Sequence, residues 1–160
     1  MAIQVGDKIP AATLFEIGDN GLGTVSTDEL FAGKTVVLFN VPGAFTPTCS
    51  AKHLPGFIEK ADALKAKGVD AIIGMAVNDP FVMKAWGKDA GVGEAVRLVS
   101  DGNAELTKKL GLEMDGTKAG LGTRCQRFSL IAKDGVITHL NVEQPGAFEV
   151  STAEYALGQL

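Results

Sequence analysis

Short apolar runs bounded by turn residues set the rhythm of this chain. Val36-Val37-Leu38-Phe39-Asn40-Val41, Ala71 to Val77, Val96 to Val99, Phe128 to Ala132 and Val136 to Asn141 are rich in branched side chains and predict strands. Lys133-Asp134-Gly135 between the last two reads as a hairpin turn, which makes that pair antiparallel. Helical periodicity occupies roughly Pro47 to Lys67, Pro80 to Asp89, Asn103 to Leu110 and Thr152 to Leu160. Ser26-Thr27-Asp28-Glu29 has the spacing of a capping box and predicts one more short helix. Pro55-Gly56 falls inside the first long helical stretch, where a kink or local unwinding is expected.

Strand and helix alternate, then a hairpin and a closing helix follow. That order implies an α/β class with a mixed central sheet flanked by helices on both faces, the layout of a thioredoxin-like fold. With 160 residues, 46% of them hydrophobic, the chain is expected to form a single domain over residues 1–160 with a core that needs no staples. The Gly-Leu-Gly-Thr string at Gly21 to Thr24 and again at Gly120 to Thr123 is read as two glycine-rich loops.

The charges, 15 basic against 19 acidic, are scattered and sum to −4, which argues against nucleic acid and anionic membrane as partners. The first residues lack the pattern of a secretory signal, and no apolar run is long enough to span a bilayer, so a cytoplasmic protein is expected. Only Cys49 and Cys125 are available for thiol chemistry, and a reducing compartment would keep both unpaired.

Cys49 lies in Pro42-Gly43-Ala44-Phe45-Thr46-Pro47-Thr48-Cys49-Ser50, between an apolar strand and a helix. Thr46 suits an N-cap and Pro47 the first helical position, which puts Cys49 in the first turn. The helix dipole and unpaired N–H groups there favour thiolate over thiol. Disulfide exchange would call for a second cysteine at Thr46. A hydroxyl cannot resolve a disulfide, but it can hold a small oxygen-bearing substrate in line with the sulfur.

Pro42-x-x-x-Thr46-x-x-Cys49 resembles the active-site signature of peroxiredoxins, and its surroundings resemble the type II, or peroxiredoxin-5-like, group. The likeness extends to Val77-Asn78-Asp79-Pro80-Phe81-Val82-Met83-Lys84-Ala85-Trp86 and to Arg124-Cys125-Gln126-Arg127-Phe128-Ser129. It implies a thiol peroxidase acting on hydrogen peroxide and small alkyl hydroperoxides without a bound cofactor. Cys49 would be the nucleophile that becomes sulfenic acid, Thr46 would position the peroxide and Pro42 would shield the site. Arg127 would stabilise the thiolate and the leaving oxygen. Arg124, three residues earlier on an extended segment, is expected to serve the site from outside or at an interface. The resemblance further implies a homodimer formed around the active-site rim, with Phe45, Phe81 and Trp86 as candidate contacts, although core packing is the ordinary fate of such side chains.

The chain departs from that group in its thiols. Gly74 stands where many plant members carry a resolving cysteine, and the C-terminal residues contain none. A one-cysteine cycle is expected, with glutathione and glutaredoxin regenerating Cys49. In a rival scheme Cys125 shares a strand face with Arg127, resolves Cys49 and draws on thioredoxin. A peroxide sensor or redox-regulated chaperone would need the same accessible thiol. His53 is expected to face solvent or to favour the thiolate mildly; with Cys49 it supplies too few ligands for zinc. The glycine-rich stretches at Gly91 to Gly93 and Gly116 to Gly122 lack the order of nucleotide-binding loops.

Overall fold

A computed structural model describes residues 2–160. Its centre is β3 (Thr35–Asn40), a strand buried along almost its whole length. β3 pairs in parallel with β4 (Ala71–Ala76) and antiparallel with β8 (Phe128–Lys133). The sheet continues through β5 (Arg97–Ser100) to β1 (Thr13–Gly18) and β2 (Gly21–Ser26) on one side, and to β9 (Val136–Val142) on the other. The order is β2-β1-β5-β4-β3-β8-β9, a mixed sheet of thioredoxin-like type; β6 (Glu113–Asp115) and β7 (Thr123–Cys125) form a small ribbon beside it.

Strand alternation divides the core into two layers. Val36 and Leu38 meet α1 (Thr27–Phe31) and α4 (Glu105–Leu110) through Leu30, Phe31, Leu106 and Leu110. Val37 and Phe39 meet α2 (Leu54–Ala66), α3 (Pro80–Ala90) and α5 (Ala153–Gly158) through Leu54, Phe57, Leu64, Trp86 and Ala156. Helix starts follow local chemistry. Ser26 and Glu29 form the capping box predicted for α1, and Asp79 accepts from the Val82 N–H at 2.9 Å. The hairpin between β8 and β9 turns through Asp134 and Gly135, both at positive φ, as an Asp-Gly pair allows.

Three elements differ from the sequence reading. Gly21 to Thr24 is strand, not loop: β2 is an edge strand, and its pairing with β1 compensates for its glycines. α4 begins at Glu105 because Ala104 is left-handed (φ 56°), while the Asp101 carboxylate accepts from the N–H groups of Leu106 and Thr107. The helix predicted from Pro47 is continuous to Ala66 but widens into a π-helical turn over Cys49–His53, closed by the Leu54 N–H on the Cys49 carbonyl. Pro55 has no N–H for the Ala51 carbonyl, and its ring would clash there in a regular α-helix. The wider turn absorbs this conflict one residue upstream of the proline.

Gly74 sits in β4 on the Phe39 layer. A Cβ at this position would lie 2.7 Å from both the Phe39 ring and the Leu98 side chain, so the core fills the space a side chain would need. Gly74→Ala is therefore expected to destabilise the fold by about 1–3 kcal/mol through overpacking. Equilibrium urea unfolding checks this, and an unchanged midpoint would mean that the strand has room to spare.

Candidate active site

The site forms where the parallel strands β3 and β4 end. After Asn40 the chain leaves the sheet through Val41, Pro42 and Gly43, then turns at Phe45, whose φ of 64° is a left-handed conformation for a side chain with a Cβ. Such backbone costs about 1–3 kcal/mol and persists only where its surroundings enforce it. Here the surroundings are specific. The Asn78 Oδ1 accepts from the Ala44 N–H at 2.9 Å, and the Arg124 Nη1 donates to the Pro42 carbonyl at 3.1 Å. Arg124 Nε also donates to the Leu121 carbonyl at 2.8 Å, so its guanidinium ties two loops together and touches neither sulfur. A Cβ on Gly43 would lie 2.9 Å from that guanidinium, which is why the position suits glycine.

The Thr46 hydroxyl donates to the Gly43 carbonyl at 2.7 Å. With its hydrogen committed there, its oxygen remains free to accept. Cys49 is fully buried in the first helical turn, and the Arg127 Nη2 donates to its Sγ at 3.0 Å. Arg127 lies between β7 and β8, so the register of β8 against β3 at Phe128 and Asn40 delivers it to the site. Asn40 helps from within the core, its amide donating to the carbonyls of Cys125 and Gln126. Beside Arg127 opens a cleft of about 410 Å³ whose lining includes Pro42, Thr48, Met114, Pro145 and Ala147.

His53 is the residue the sequence reading misplaced. It is 1% exposed and packs among Phe39, Phe57 and Phe148 instead of facing solvent. The π-turn rotates it inward, where its Nδ1 lies 2.7 Å from the Arg127 Nη1 and its Nε2 2.8 Å from the Ser151 carbonyl. Burial, and then repulsion from Arg127, lower its pKa to about 3. Asn78 and Glu143 were also missed. Glu143 is buried, which pushes its carboxyl up, but hydrogen bonds from the Ser151 hydroxyl and from the N–H groups of Ser151 and Glu149 outweigh this and leave it below the ordinary range. The four-residue spacing of Cys49 and His53 hinted that the two share a helix face, but not that the imidazole is buried.

Two further expectations are corrected. Cys125 does not approach Cys49: the strand ends at Cys125, so alternation no longer governs residue 127, and the thiol packs with Leu106 and Leu110 across the sheet. Burial pushes its pKa up to about 12, which leaves it a neutral thiol at physiological pH. Trp86 is 1% exposed and donates its indole N–H to the Ser50 hydroxyl at 2.9 Å, so it belongs to the core under the catalytic helix and not to a surface. Phe45 and Phe81 are exposed. Among the described residues no group of three potential ligands gathers for a metal ion.

A thiol at a helix start, held by a guanidinium and preceded by a hydroxyl acceptor on a thioredoxin-like scaffold, defines a thiol-dependent peroxidase. The comparisons with known proteins agree. The redoxin family matches residues 4–157, and the chain belongs to that family, among its type II peroxiredoxins. It is 58% identical over 163 residues to peroxiredoxin-2E-2, chloroplastic, of Oryza sativa subsp. japonica, covering 99% of this chain and 72% of that one. It is 54% identical to peroxiredoxin-2B of Arabidopsis thaliana, covering 99% and 98%. The crystal structure of reduced Prx3 from Vibrio vulnificus in complex with hydrogen peroxide superimposes with a TM-score of 0.95 at 54% identity, covering 98% of each chain. The protein is a peroxidase that reduces peroxides at the expense of thiols.

The buried imidazole makes the fold acid-sensitive in a defined window. Between pH 6.5, the ordinary imidazole value, and about 3, the unfolded chain binds a proton at His53 that the folded chain refuses. Stability is thus expected to fall as pH drops through this window. The difference between the pH–stability curves of wild type and His53→Asn isolates this component from the carboxylates. Parallel curves would remove it.

Proposed function

We propose that Cys49 is the peroxidatic cysteine of a one-cysteine cycle, with glutathione, assisted by glutaredoxin, as the reductant. The observation that carries this reading is the 3.0 Å contact between the Arg127 guanidinium and a sulfur whose only companion thiol lies across the sheet. A peroxide enters beside Pro42, its O–H donating to the Thr46 hydroxyl oxygen. The Cys49 thiolate attacks the hydrogen-bearing oxygen of the peroxide in line, the S–O bond forms and the O–O bond breaks. Sulfur is oxidised to sulfenic acid, while the departing alkoxide or hydroxide gathers charge near Arg127 and takes a proton from water. One glutathione thiol then condenses with the sulfenic acid, releasing water and leaving a mixed disulfide. A second glutathione displaces Cys49 as thiolate and leaves as glutathione disulfide.

The cleft beside Arg127 and Pro42 is much larger than hydrogen peroxide requires, which supports small alkyl hydroperoxides as further substrates. Pro42, half-buried on its wall, limits water at the sulfur. The exposed rings of Phe45 and Phe81 support a homodimer formed around the active-site rim. A reducing compartment such as the cytoplasm suits a cycle that depends on free thiols.

Cys49→Ser is expected to abolish peroxide consumption, and Arg127→Leu to slow the oxidation of Cys49 by roughly 100-fold or more. Cys125→Ser is expected to retain glutathione-supported turnover, followed as peroxide consumed with glutathione plus glutaredoxin and, separately, with thioredoxin. If Cys125→Ser loses turnover while its Cys49 is still oxidised by peroxide, the one-cysteine cycle is wrong.

A further inference from the structure

We infer that His53 is a positioning residue: a neutral imidazole, locked in the Nε2–H tautomer by the Ser151 carbonyl, whose Nδ1 lone pair holds Arg127 in the orientation that serves Cys49. The chemistry of its two neighbours fixes the tautomer. The Ser151 carbonyl can only accept, so the Nε2 at 2.8 Å must carry a hydrogen. The Arg127 guanidinium can only donate, so the Nδ1 at 2.7 Å must carry none. An imidazolium would set one N–H against another, and the Nδ1–H tautomer would spoil both bonds at once.

Every element around the ring reinforces that state. Phe39 from β3, Phe57 from α2 and Phe148 from the loop after β9 enclose it, with ring centroids 5.0, 5.6 and 5.1 Å away. Arg127 and Glu143 are the charged groups whose fields reach it. The Glu143 carboxylate accepts from the hydroxyl and N–H of Ser151 and from the N–H of Glu149, and so fixes the carbonyl that selects the tautomer. The Phe148 ring also lies 5.7 Å from the Arg127 carbon Cζ. A guanidinium whose Nη1 and Nη2 are both engaged cannot rotate in its plane. Without the Nδ1 acceptor, Nη1 becomes an unpaired donor in a partly buried site, and the Nη2 contact to sulfur loses its fixed angle.

This inference rests on Cys49 and Arg127 as the reacting pair proposed above, and two substitutions dissect it. In His53→Asn the amide oxygen falls near the former Nδ1 and still accepts from Arg127. In His53→Gln the amide nitrogen reaches toward the former Nε2 and still donates to Ser151, but Arg127 loses its acceptor. The single-turnover rate of oxidation by hydrogen peroxide can be followed by the emission of Trp86, the only tryptophan, whose indole bonds to Ser50 beside the reacting sulfur. His53→Gln is expected to slow by about 10- to 100-fold and His53→Asn by no more than about 3-fold. Each variant keeps one of the two bonds, so similar denaturation midpoints with unequal rates separate positioning from loss of fold. Equal losses, or a larger loss in His53→Asn, would overturn the inference. In the wild type, the imidazole nitrogen NMR spectrum should show Nδ1 unprotonated at neutral pH, assigned by comparison with His139→Ala. A proton on Nδ1 would overturn the inference whichever sulfur the peroxide oxidises, whereas oxidation at a sulfur other than Cys49 would undo the functional reading instead.

Discussion

The site depends on a single cation shared between two acceptors that could not be more different: a sulfur that must become an anion, and an imidazole that must stay neutral. Withdrawing a guanidinium from water costs several kcal/mol unless its donors are satisfied. Arg127 meets that condition with the Cys49 sulfur, the His53 lone pair and the face of Phe148. The same contacts remove its freedom to turn. When peroxide arrives, little reorganisation is needed to stabilise the charge moving from sulfur to leaving oxygen, the condition under which electrostatic stabilisation is most effective. Glu143 stands one step behind, a buried carboxylate spent on holding Ser151 instead of on neutralising the arginine.

That arrangement conflicts with the second half of the cycle. Cys49 has no solvent exposure, so a peptide-sized thiol cannot reach its sulfenic acid without local opening. The turn that carries Cys49 is also the turn that carries His53, and it is π-helical because Pro55 cannot supply the next α-helical hydrogen bond. A turn with irregular bonding is the least costly part of the helix to open. Opening it withdraws both acceptors from Arg127 together. The closed state is therefore held by the same contacts that fix Arg127 on Cys49, so exposing the sulfur breaks them.

Packing in the core keeps the two thiols apart. Phe39 stacks on Phe57 with ring centroids 4.2 Å apart and forms one wall of the imidazole cage. Its ring also occupies the space above Gly74, so the packing that shields His53 leaves no room for a second side chain on that strand. Cys125 lies on the opposite layer as a neutral buried thiol. The two thiols of the chain thus lie on opposite layers of the core, and Cys49 has no thiol beside it.

The residues alone revealed the class of fold and pointed to Cys49 as the candidate nucleophile. Branched apolar runs, a Thr-Pro helix start and a cysteine in the first turn act through neighbours in sequence, and local physics of this kind survives without a structure. The edge strand β2 was hidden because its stability comes from pairing with β1, which its glycines do not advertise. The solvent-facing alternative for His53, the interface alternative for Trp86 and the resolving alternative for Cys125 all fail on burial, which residue spacing does not report. Strand parity fails after Cys125, whereas the four-residue spacing does bring His53 to the face of Cys49, where both meet Arg127. Burial, tautomer and the reach of a guanidinium are properties of assembled layers, and only the folded chain could fix them.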